Sequence, residues 1–186
     1  MRASGYERQK HNWYVEESWV VDAMLQAERP FQGRVMDPCC GGGTIPDTLV
    51  KHPSGASVQE CLGADLIDRS NGRFRIGDYG ITLAALKPDS VISNPPYGGE
   101  EKEFIETALA HTTDRVVVIL RLAFLEGQKK KVWFEGKGLA RVWVSSRRVS
   151  MPPGGLGVKA KNGSTAYAWF VFEHGYTGAY PALGLI

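Results

Sequence analysis

The stretch RVMDPCCGGGTIPDTLV, residues 34–50, combines a short apolar run, three consecutive glycines and a segment that can form a helix. Residues 34–37 predict a strand ending at Asp37, and residues 41–43 predict a tight turn, because glycine adopts backbone angles that other residues avoid. A helix is predicted to follow through Val50, with Thr44 near its cap. A strand, a glycine turn and a helix in this order are typical of an α/β sheet with a ligand site at the turn.

The rest of the chain alternates in the same way. Apolar residues at helical spacing predict helices over residues 16–28, with acids in the first turn, and around residues 104–109. Further strands are predicted at 58–64, 74–76, 90–93, 116–120, 142–144 and 167–172. The pattern therefore predicts an α/β protein with a Rossmann-like, doubly wound, mostly parallel sheet of about seven strands and helices on both faces. Residues 1–186 are expected to form one domain, without a separate target-recognition domain.

The composition fits a globular domain in an aqueous compartment. The 186 residues are 43% apolar, and no apolar run approaches the roughly 20 residues that a membrane helix needs. The first 14 residues are polar and contain no apolar signal segment, so a cytoplasmic location without membrane contact is expected. Cys39, Cys40 and Cys61 have neither the pattern of a disulfide framework nor the spacing of zinc ligands, and no metal is predicted. Both a monomer and a homodimer remain open.

The basic residues are unevenly distributed. Residues 128–161 contain nine lysines and arginines and one acid, although the net charge of the whole chain is only +2. A concentrated basic stretch on an otherwise acidic chain favours a polyanion as partner, and a solvated surface without a partner is the alternative. The predicted nucleic-acid contacts are Lys129, Lys130, Lys131, Arg147, Arg148, Lys159 and Lys161.

The tetrapeptide Asn94-Pro95-Pro96-Tyr97 follows the strand at 90–93 and carries the most specific chemistry. The two prolines provide no N–H donors, so this backbone offers carbonyl acceptors beside the side-chain oxygen of Asn94. Such acceptors can bind both hydrogens of a conjugated amine, such as N6 of adenine, and free its lone pair. Tyr97 offers a flat face for a base taken out of its stack. The alternative is a rigid turn with a buried tyrosine.

The glycine turn predicts a second part of the same site. Glycines allow a ligand to approach the backbone, and the following helix offers free N–H groups. An acid after the second strand is expected to accept from ribose hydroxyls, and both Asp65 and Asp68 are close enough for this role. Because parallel strands bring their carboxyl ends to one edge, the glycine turn and the tetrapeptide are expected to share one cleft.

With these motifs, residues 14 to about 176 resemble the class I S-adenosylmethionine-dependent amino-methyltransferases, and most of all the compact adenine-N6 DNA methyltransferases of bacteriophages and prophages. Those enzymes pair an Asp-Pro-x-x-Gly-x-Gly-Thr motif with Asn-Pro-Pro-Tyr. The resemblance implies S-adenosylmethionine as cofactor, with its methionine part near Asp37, Gly41 and Gly43, its ribose near Asp65 and its adenine near Asp78 and Tyr79. The full expected cofactor site is Tyr14, Asp37, Pro38, Cys39, Gly41, Gly43, Thr44, Asp65, Leu66, Asp78, Tyr79 and Asn94.

The resemblance implies that Asn94, Pro95, Pro96 and Tyr97 form the catalytic site, which methylates N6 of a flipped-out adenine in DNA. Two alternatives use the same chemistry: methylation of adenine N6 or guanine N2 in RNA, and methylation of a protein glutamine at N5. A third alternative is a catalytically silent cofactor-binding module. A catalytic role for Cys39 is disfavoured, because the tetrapeptide needs no covalent intermediate. Glu100 and Glu101 are expected to favour the start of the next helix.

Overall fold

A computed structural model of the protein describes residues 13–155, 163 and 165–186. This part of the chain contains eight strands: β1 (Gly33–Asp37), β2 (Val58–Asp65), β3 (Arg75–Ile76), β4 (Ser90–Ser93), β5 (Arg115–Arg121), β6 (Leu139–Val144), β7 (Tyr167–Glu173) and β8 (Ala182–Leu185). The same part contains five α-helices: α1 (Ser18–Ala27), α2 (Thr44–Lys51), α3 (Tyr79–Leu86), α4 (Glu101–His111) and α5 (Gln128–Phe134). None of these helices is long and apolar enough to cross a bilayer.

All eight strands form one sheet in the order β3-β2-β1-β4-β5-β7-β6-β8. Strand β7 runs antiparallel to both of its neighbours, and the other neighbouring pairs are parallel. The chain starts in the middle of the sheet with β1, builds one side through β2 and β3, and then crosses to β4 on the other side. The doubly wound, mostly parallel sheet is confirmed, with eight strands where about seven were predicted.

The core has two halves, one on each face of the sheet. Helices α1 and α2 cover one face through residues such as Met24 and Leu49, and α3 and α4 cover the other through Leu83 and Phe104. Alternate residues of β5 belong to the two halves, so this strand is buried on both sides. The run of β-branched residues in β5 therefore predicted a central strand correctly.

Several elements differ from the sequence prediction at their ends. Helix α2 begins at Thr44 as predicted, and its cap is the preceding Gly43, which has a φ of 99° and makes no side-chain hydrogen bond. Helix α1 begins at Ser18, so Glu16 and Glu17 precede it and its first turn contains no acid. The sequence did not predict α3, α5 or β8. Strand β8 contains alanine, leucine and glycine rather than β-branched residues, so it has no propensity signal.

A charged cluster stabilises the edge of the sheet at which the parallel strands begin. Glu28 is buried and accepts from Arg141 Nε at 2.8 Å, from Arg141 Nη2 at 2.9 Å and from Trp143 Nε1 at 3.0 Å. Arg115 is fully buried, lies 4.1 Å from the ring centroid of Phe31, and donates to the carbonyl of Arg29 at 2.7 Å. Burial lowers the pKa of Arg115 to about 10. These groups connect α1 to β5 and β6.

We expect Glu28→Gln to lower the free energy of unfolding by about 3 kcal/mol, because a buried ion pair that loses one partner leaves an uncompensated charge. Glu60→Gln is the matched control, since Glu60 pairs with Arg34 on the surface and its side chain is 52% exposed. That change is expected to cost less than about 1 kcal/mol. Urea unfolding measures both, and equal losses would contradict the role given to Glu28.

Candidate active site

A cleft of about 290 Å³ opens at the carboxyl edge of the parallel strands. It lies across the ends of β1, β2 and β4, at the point where the order of strands along the chain reverses, which is where doubly wound sheets bind ligands. The residues that line it are Trp13, Tyr14, Pro38, Cys39, Asp65, Leu66, Arg69, Asp78, Tyr79, Asn94, Pro95, Pro96 and Glu100. Pro38 and Cys39, which directly precede the glycine turn, therefore line the same cleft as Asn94, Pro95 and Pro96 of the tetrapeptide, and the glycines themselves lie behind its wall.

The carboxyl group of Asp37 joins the two motifs. Asp37 is 2% exposed, and its Oδ1 accepts from Ser93 Oγ at 2.7 Å and from the N–H of Cys39 at 3.1 Å. Ser93 is the last residue of β4 and directly precedes Asn94. This hydrogen bond therefore fixes the end of β1 beside the end of β4, although Asp37 itself lies behind the cleft wall.

Asp65, at the end of β2, lines the cleft and already holds three donors. Its Oδ2 accepts from the N–H of Gly41 at 2.8 Å, and its Oδ1 accepts from the N–H of Ile67 at 3.1 Å and from Arg69 Nη1 at 2.8 Å. Asp68, the alternative to Asp65, instead accepts from the N–H groups of Ser70 and Gly72 in an exposed loop. The structure therefore brings Asp65, and not Asp68, to the cleft.

A segment before α1 covers one side of the cleft. The ring of Trp13 lies against Gly41, Gly154 and Gly155, and a Cβ at Gly154 would come within 2.2 Å of that ring. The guanidinium of Arg69 lies 4.9 Å from the centroid of the same ring. Trp13 accepts from the N–H of Gly154 at 3.0 Å, and Val15 donates to Pro152 at 2.9 Å. Trp13 and Arg69 were both missed at the sequence level, because only these tertiary contacts bring them to the cleft.

The side-chain amide of Asn94 has a defined orientation. Its Nδ2 donates to Glu16 Oε2 at 2.8 Å and to the carbonyl of Tyr14 at 3.0 Å. Its Oδ1 accepts from the hydroxyl of Tyr97 at 2.6 Å. The oxygen thus points away from Glu16 and toward a donor, which is the arrangement needed to accept from an amine.

Tyr97 has a different position from the one predicted. Its ring packs against both halves of the core rather than lining the cleft, and the guanidinium of Arg121 lies 6.0 Å from its centroid. Its hydroxyl also lies 3.3 Å from the carbonyl of Ile119. The ring of Tyr97 therefore does not form part of the cleft surface, and its hydroxyl already bonds to the side-chain oxygen of Asn94.

Burial determines the protonation of the groups around Asn94. Burial raises the pKa of Tyr97 well above its usual value, so the phenol remains a donor. Burial also raises the pKa of Asp37 well above its usual value, and the negative charge of Glu16 adds to that effect. The pKa of Glu16 is raised by burial, and the hydrogen bond from Asn94 opposes the increase. The carboxyl groups of Glu16 and Asp37 thus lie behind the cleft, shielded from water.

Eight of the twelve residues predicted for the cofactor site line the cleft: Tyr14, Pro38, Cys39, Asp65, Leu66, Asp78, Tyr79 and Asn94. The other four lie behind its wall. Gly41 contacts Trp13 and Asp65, Gly43 faces the ring of Phe74, Asp37 bonds to Ser93, and Thr44 hydrogen-bonds to Glu16. These four residues shape the cleft and do not form its surface.

Asp78 and the acids after the tetrapeptide also have local structural roles. Asp78 Oδ1 caps α3 by accepting from the N–H of Gly80 at 2.8 Å, while the residue lines the cleft. Glu100 occupies the N-cap position of α4 without a side-chain hydrogen bond, and Glu101 in the first turn accepts from the N–H groups of Gly98 and Gly99. The expectation that Glu100 and Glu101 favour the start of this helix is confirmed.

The segments that carry the predicted basic residues follow β5 and β6 at the edge of the sheet where Asn94 follows β4. Lys129, Lys130 and Lys131 are in α5, which packs on one face of the sheet through Trp133 and Phe134. Arg147 and Arg148 follow β6, and Arg147 lies 4.4 Å from the ring centroid of Trp19 on the other face. Lys159 and Lys161 lie outside the described residues. Two other cations of the basic stretch are structural: Lys137 pairs with Glu106, and Arg141 pairs with Glu28.

No protein-family model matches the chain, and no curated protein sequence matches it. Among solved structures, it is similar to a protein from Listeria monocytogenes assigned as a class I S-adenosylmethionine-dependent methyltransferase, with a TM-score of 0.62, 15% identity, and coverage of 98% of this chain and 68% of that one. It is also similar to the type I restriction-modification methyltransferase subunit of Streptococcus thermophilus, with a TM-score of 0.61, 15% identity, and coverage of 91% and 47%.

A third similar structure is a protein from Pyrococcus horikoshii assigned as an RNA methyltransferase, with a TM-score of 0.60, 15% identity, and coverage of 92% of both chains. The chain spans about half the length of the type I modification subunits that it matches, between 44% and 47%. At these identities the similarity establishes the fold: the chain has the class I methyltransferase fold.

The three thiols are expected to be unreactive in the folded protein. Burial raises the pKa of Cys61 to about 11 and the pKa of Cys39 well above its usual value, and Asp37 adds to both effects. At about pH 8, a thiol whose pKa is near 11 alkylates on the order of 10²-fold more slowly than an exposed one. Iodoacetamide labelling followed by mass spectrometry, with the urea-unfolded protein as control, measures this. Rapid labelling of Cys39 in the folded protein would support the nucleophile that we disfavour.

Proposed function

We propose that this chain is an S-adenosylmethionine-dependent methyltransferase that methylates N6 of a flipped-out adenine in DNA. The observation that carries the proposal is the orientation of Asn94, which lines the cleft: its nitrogen is held by Glu16 and Tyr14, so its oxygen is left to accept, and in the free protein it accepts from the hydroxyl of Tyr97. The class I methyltransferase fold supports methyl transfer from S-adenosylmethionine as the reaction.

The charge of the cleft suits the cofactor, and its volume approaches that of a small-molecule site. Its volume of about 290 Å³ is near the lower end of small-molecule sites, roughly 300 to 1,000 Å³. Asp65, Asp78 and Glu100 line it, and Arg69 is the one cation among those lining residues that the structure describes. S-adenosylmethionine, when bound, supplies a methyl group on a positively charged sulfur, and an acidic cleft suits a cation. Asp65 would hold the ribose, and Tyr79 would hold the adenine ring.

Arg69 bears on how the ribose would bind. Its guanidinium donates to Asp65 Oδ1 at 2.8 Å, on the carboxyl group that the ribose hydroxyls would use. A ribose there either replaces Arg69 or shares the carboxylate with it. The contact between Arg69 and Trp13 means that this exchange also involves the segment that covers the cleft.

Catalysis by the chain itself would be positional and electrostatic. Asn94 Oδ1 and the carbonyl of Pro95 would accept the two hydrogens of the adenine amine, which is a poor nucleophile because its lone pair is delocalised into the ring. Fixed acceptors stabilise the positive charge that develops on the nitrogen, and they need no reorganisation during the reaction. The hydroxyl of Tyr97 occupies the place of one amine hydrogen in the free protein, so it must leave before the amine enters.

The basic residues on the two faces of the sheet support a nucleic acid as substrate. Within the described chain, Lys129, Lys130, Lys131 and Arg147 form no ion pair with an acidic side chain. They flank the edge that carries Asn94, so a phosphate backbone lying across this edge would contact both groups while a base entered the cleft.

Labelled S-adenosylmethionine tests the substrate directly. The protein is incubated with unmethylated DNA, with total RNA and with a protein extract, and the modified nucleoside or residue is identified by mass spectrometry. We expect N6-methyladenine in DNA. Label in RNA or in a glutamine side chain would contradict DNA as the substrate and would identify the actual one. No incorporation into any of the three would favour a silent cofactor-binding module.

Asn94→Ala is expected to lower kcat for methyl transfer by on the order of 10³-fold, as the loss of a preorganised polar group at a transition state does. Cofactor affinity, measured by calorimetry, is expected to change little, because the other cleft residues are unaffected. Gln59→Ala is the matched control, since it removes an exposed amide on β2. An Asn94→Ala protein that turned over normally would exclude the proposed role.

Neutralising Lys129, Lys130 and Lys131 to Gln together is expected to weaken DNA binding and to make it less dependent on salt. The slope of log K against log salt is expected to fall by about one for each lost phosphate contact. The control is the double variant Lys51→Gln and Lys87→Gln, whose residues lie at the C-terminal ends of α2 and α3, away from the cleft. Fluorescence anisotropy of a labelled duplex measures the slope, and an unchanged slope would remove α5 from the interface.

A further inference from the structure

Glu16 is a buried carboxylate that the sequence did not identify as part of the site. It is 7% exposed, it precedes α1, and it lies behind the tetrapeptide rather than on the cleft surface. A buried carboxyl group is unfavourable unless it is hydrogen-bonded, so the partners of Glu16 indicate why the chain retains it.

Those partners are Asn94 and Thr44. Glu16 Oε2 accepts from Asn94 Nδ2 at 2.8 Å, and the side chain of Thr44 also hydrogen-bonds to this carboxyl group. The second hydrogen of the same amide goes to the backbone carbonyl of Tyr14 at 3.0 Å. The nitrogen of Asn94 is therefore held by two groups that act as acceptors.

The two ends of an asparagine side chain differ only in whether they donate or accept. A rotation by half a turn would direct Oδ1 at Glu16 and Tyr14, which have no hydrogen to offer while Glu16 is ionised, and would direct the NH₂ group at the reacting amine. Two hydrogen bonds would become two contacts between acceptors. The acceptor set behind Asn94 therefore selects one of its two orientations.

We propose that Glu16 is a positioning residue that holds the oxygen of Asn94 toward the reacting amine. The inference rests on the proposed function, because it assumes that Asn94 accepts from the substrate. It assigns to the segment before α1 a role in catalysis that is separate from covering the cleft.

Glu16→Ala is expected to lower kcat by on the order of 10²-fold, because misplacing a catalytic group costs about that much, while cofactor affinity is little changed. Glu16→Gln is expected to retain more activity than Glu16→Ala, because its amide oxygen can still accept from Asn94. Glu17→Gln is the matched control: Glu17 accepts from the N–H of Ser150 at 3.3 Å, whereas the nitrogen of Asn94 donates to Glu16 and Tyr14.

Exchanging the donor and the acceptor between residues 94 and 16 distinguishes a positioning role of Glu16 from a role in packing alone. Asn94→Asp alone places a carboxylate against Glu16 and is expected to be nearly inactive. Asn94→Asp with Glu16→Gln restores a donor behind the residue and leaves one carboxylate oxygen facing the cleft, so about a tenfold recovery over Asn94→Asp is expected. Asn94→Asp with Glu17→Gln is expected to show no recovery. A merely structural role for Glu16 would lower stability but would produce no such rescue.

A second readout needs no substrate. The side-chain amide protons of Asn94, followed by NMR, are expected to exchange slowly with water in the wild type and in Glu17→Gln, and faster in Glu16→Ala. If the wild type transfers no methyl group to any substrate, the proposed function fails and the exchange rates still test Glu16. Unchanged exchange in Glu16→Ala, or equal activity of Asn94→Asp with and without Glu16→Gln, would overturn the inference.

Discussion

The hydrogen bond from Ser93 to the buried carboxyl group of Asp37 is the constraint on which the site depends. Parallel pairing alone places the ends of β1 and β4 at the same edge, but it does not fix the chain beyond those ends. The bond holds the turn after β1 and the tetrapeptide after β4 at one separation. Everything that lines the cleft is positioned relative to these two segments.

The charges of the molecule are arranged in layers around that bond. Glu16 and Asp37 lie in the interior, and Asp65, Asp78 and Glu100 line the cleft. On the outside of the same edge lie Lys129, Lys130 and Lys131 of α5 and Arg147 after β6. Buried acids are tolerated because each accepts hydrogen bonds. A cation in the cleft and a polyanion outside it would thus meet potentials of opposite sign within a short distance.

The local sequence predicted those elements whose residue types strongly favour one kind of structure, such as a buried strand or a tight turn. The β-branched run of β5 and the glycines after β1 are of this kind, and both were placed correctly. Strand β8 was missed because its pairing with β6, rather than its own propensity, makes it a strand. Trp13, Glu16 and Arg69 were missed for a related reason: each acts through a contact with residues far away in the sequence, such as Gly154, Asn94 and Asp65. The position of Tyr97 was wrong because an aromatic ring beside a cleft can also complete the core.

The antiparallel bridge between Tyr14 and Pro153 joins two segments that lie at different parts of the surface. One carries Trp13 over the cleft, and the other leads from Arg147 and Arg148 into the basic loop sequence. A ligand that shifted Trp13 would disturb its contact with Gly154 and, with it, the anchor of that second segment. If the bridge couples the two places, a ligand in the cleft and a ligand at the outer edge change each other's affinity by the same factor, as thermodynamic linkage requires.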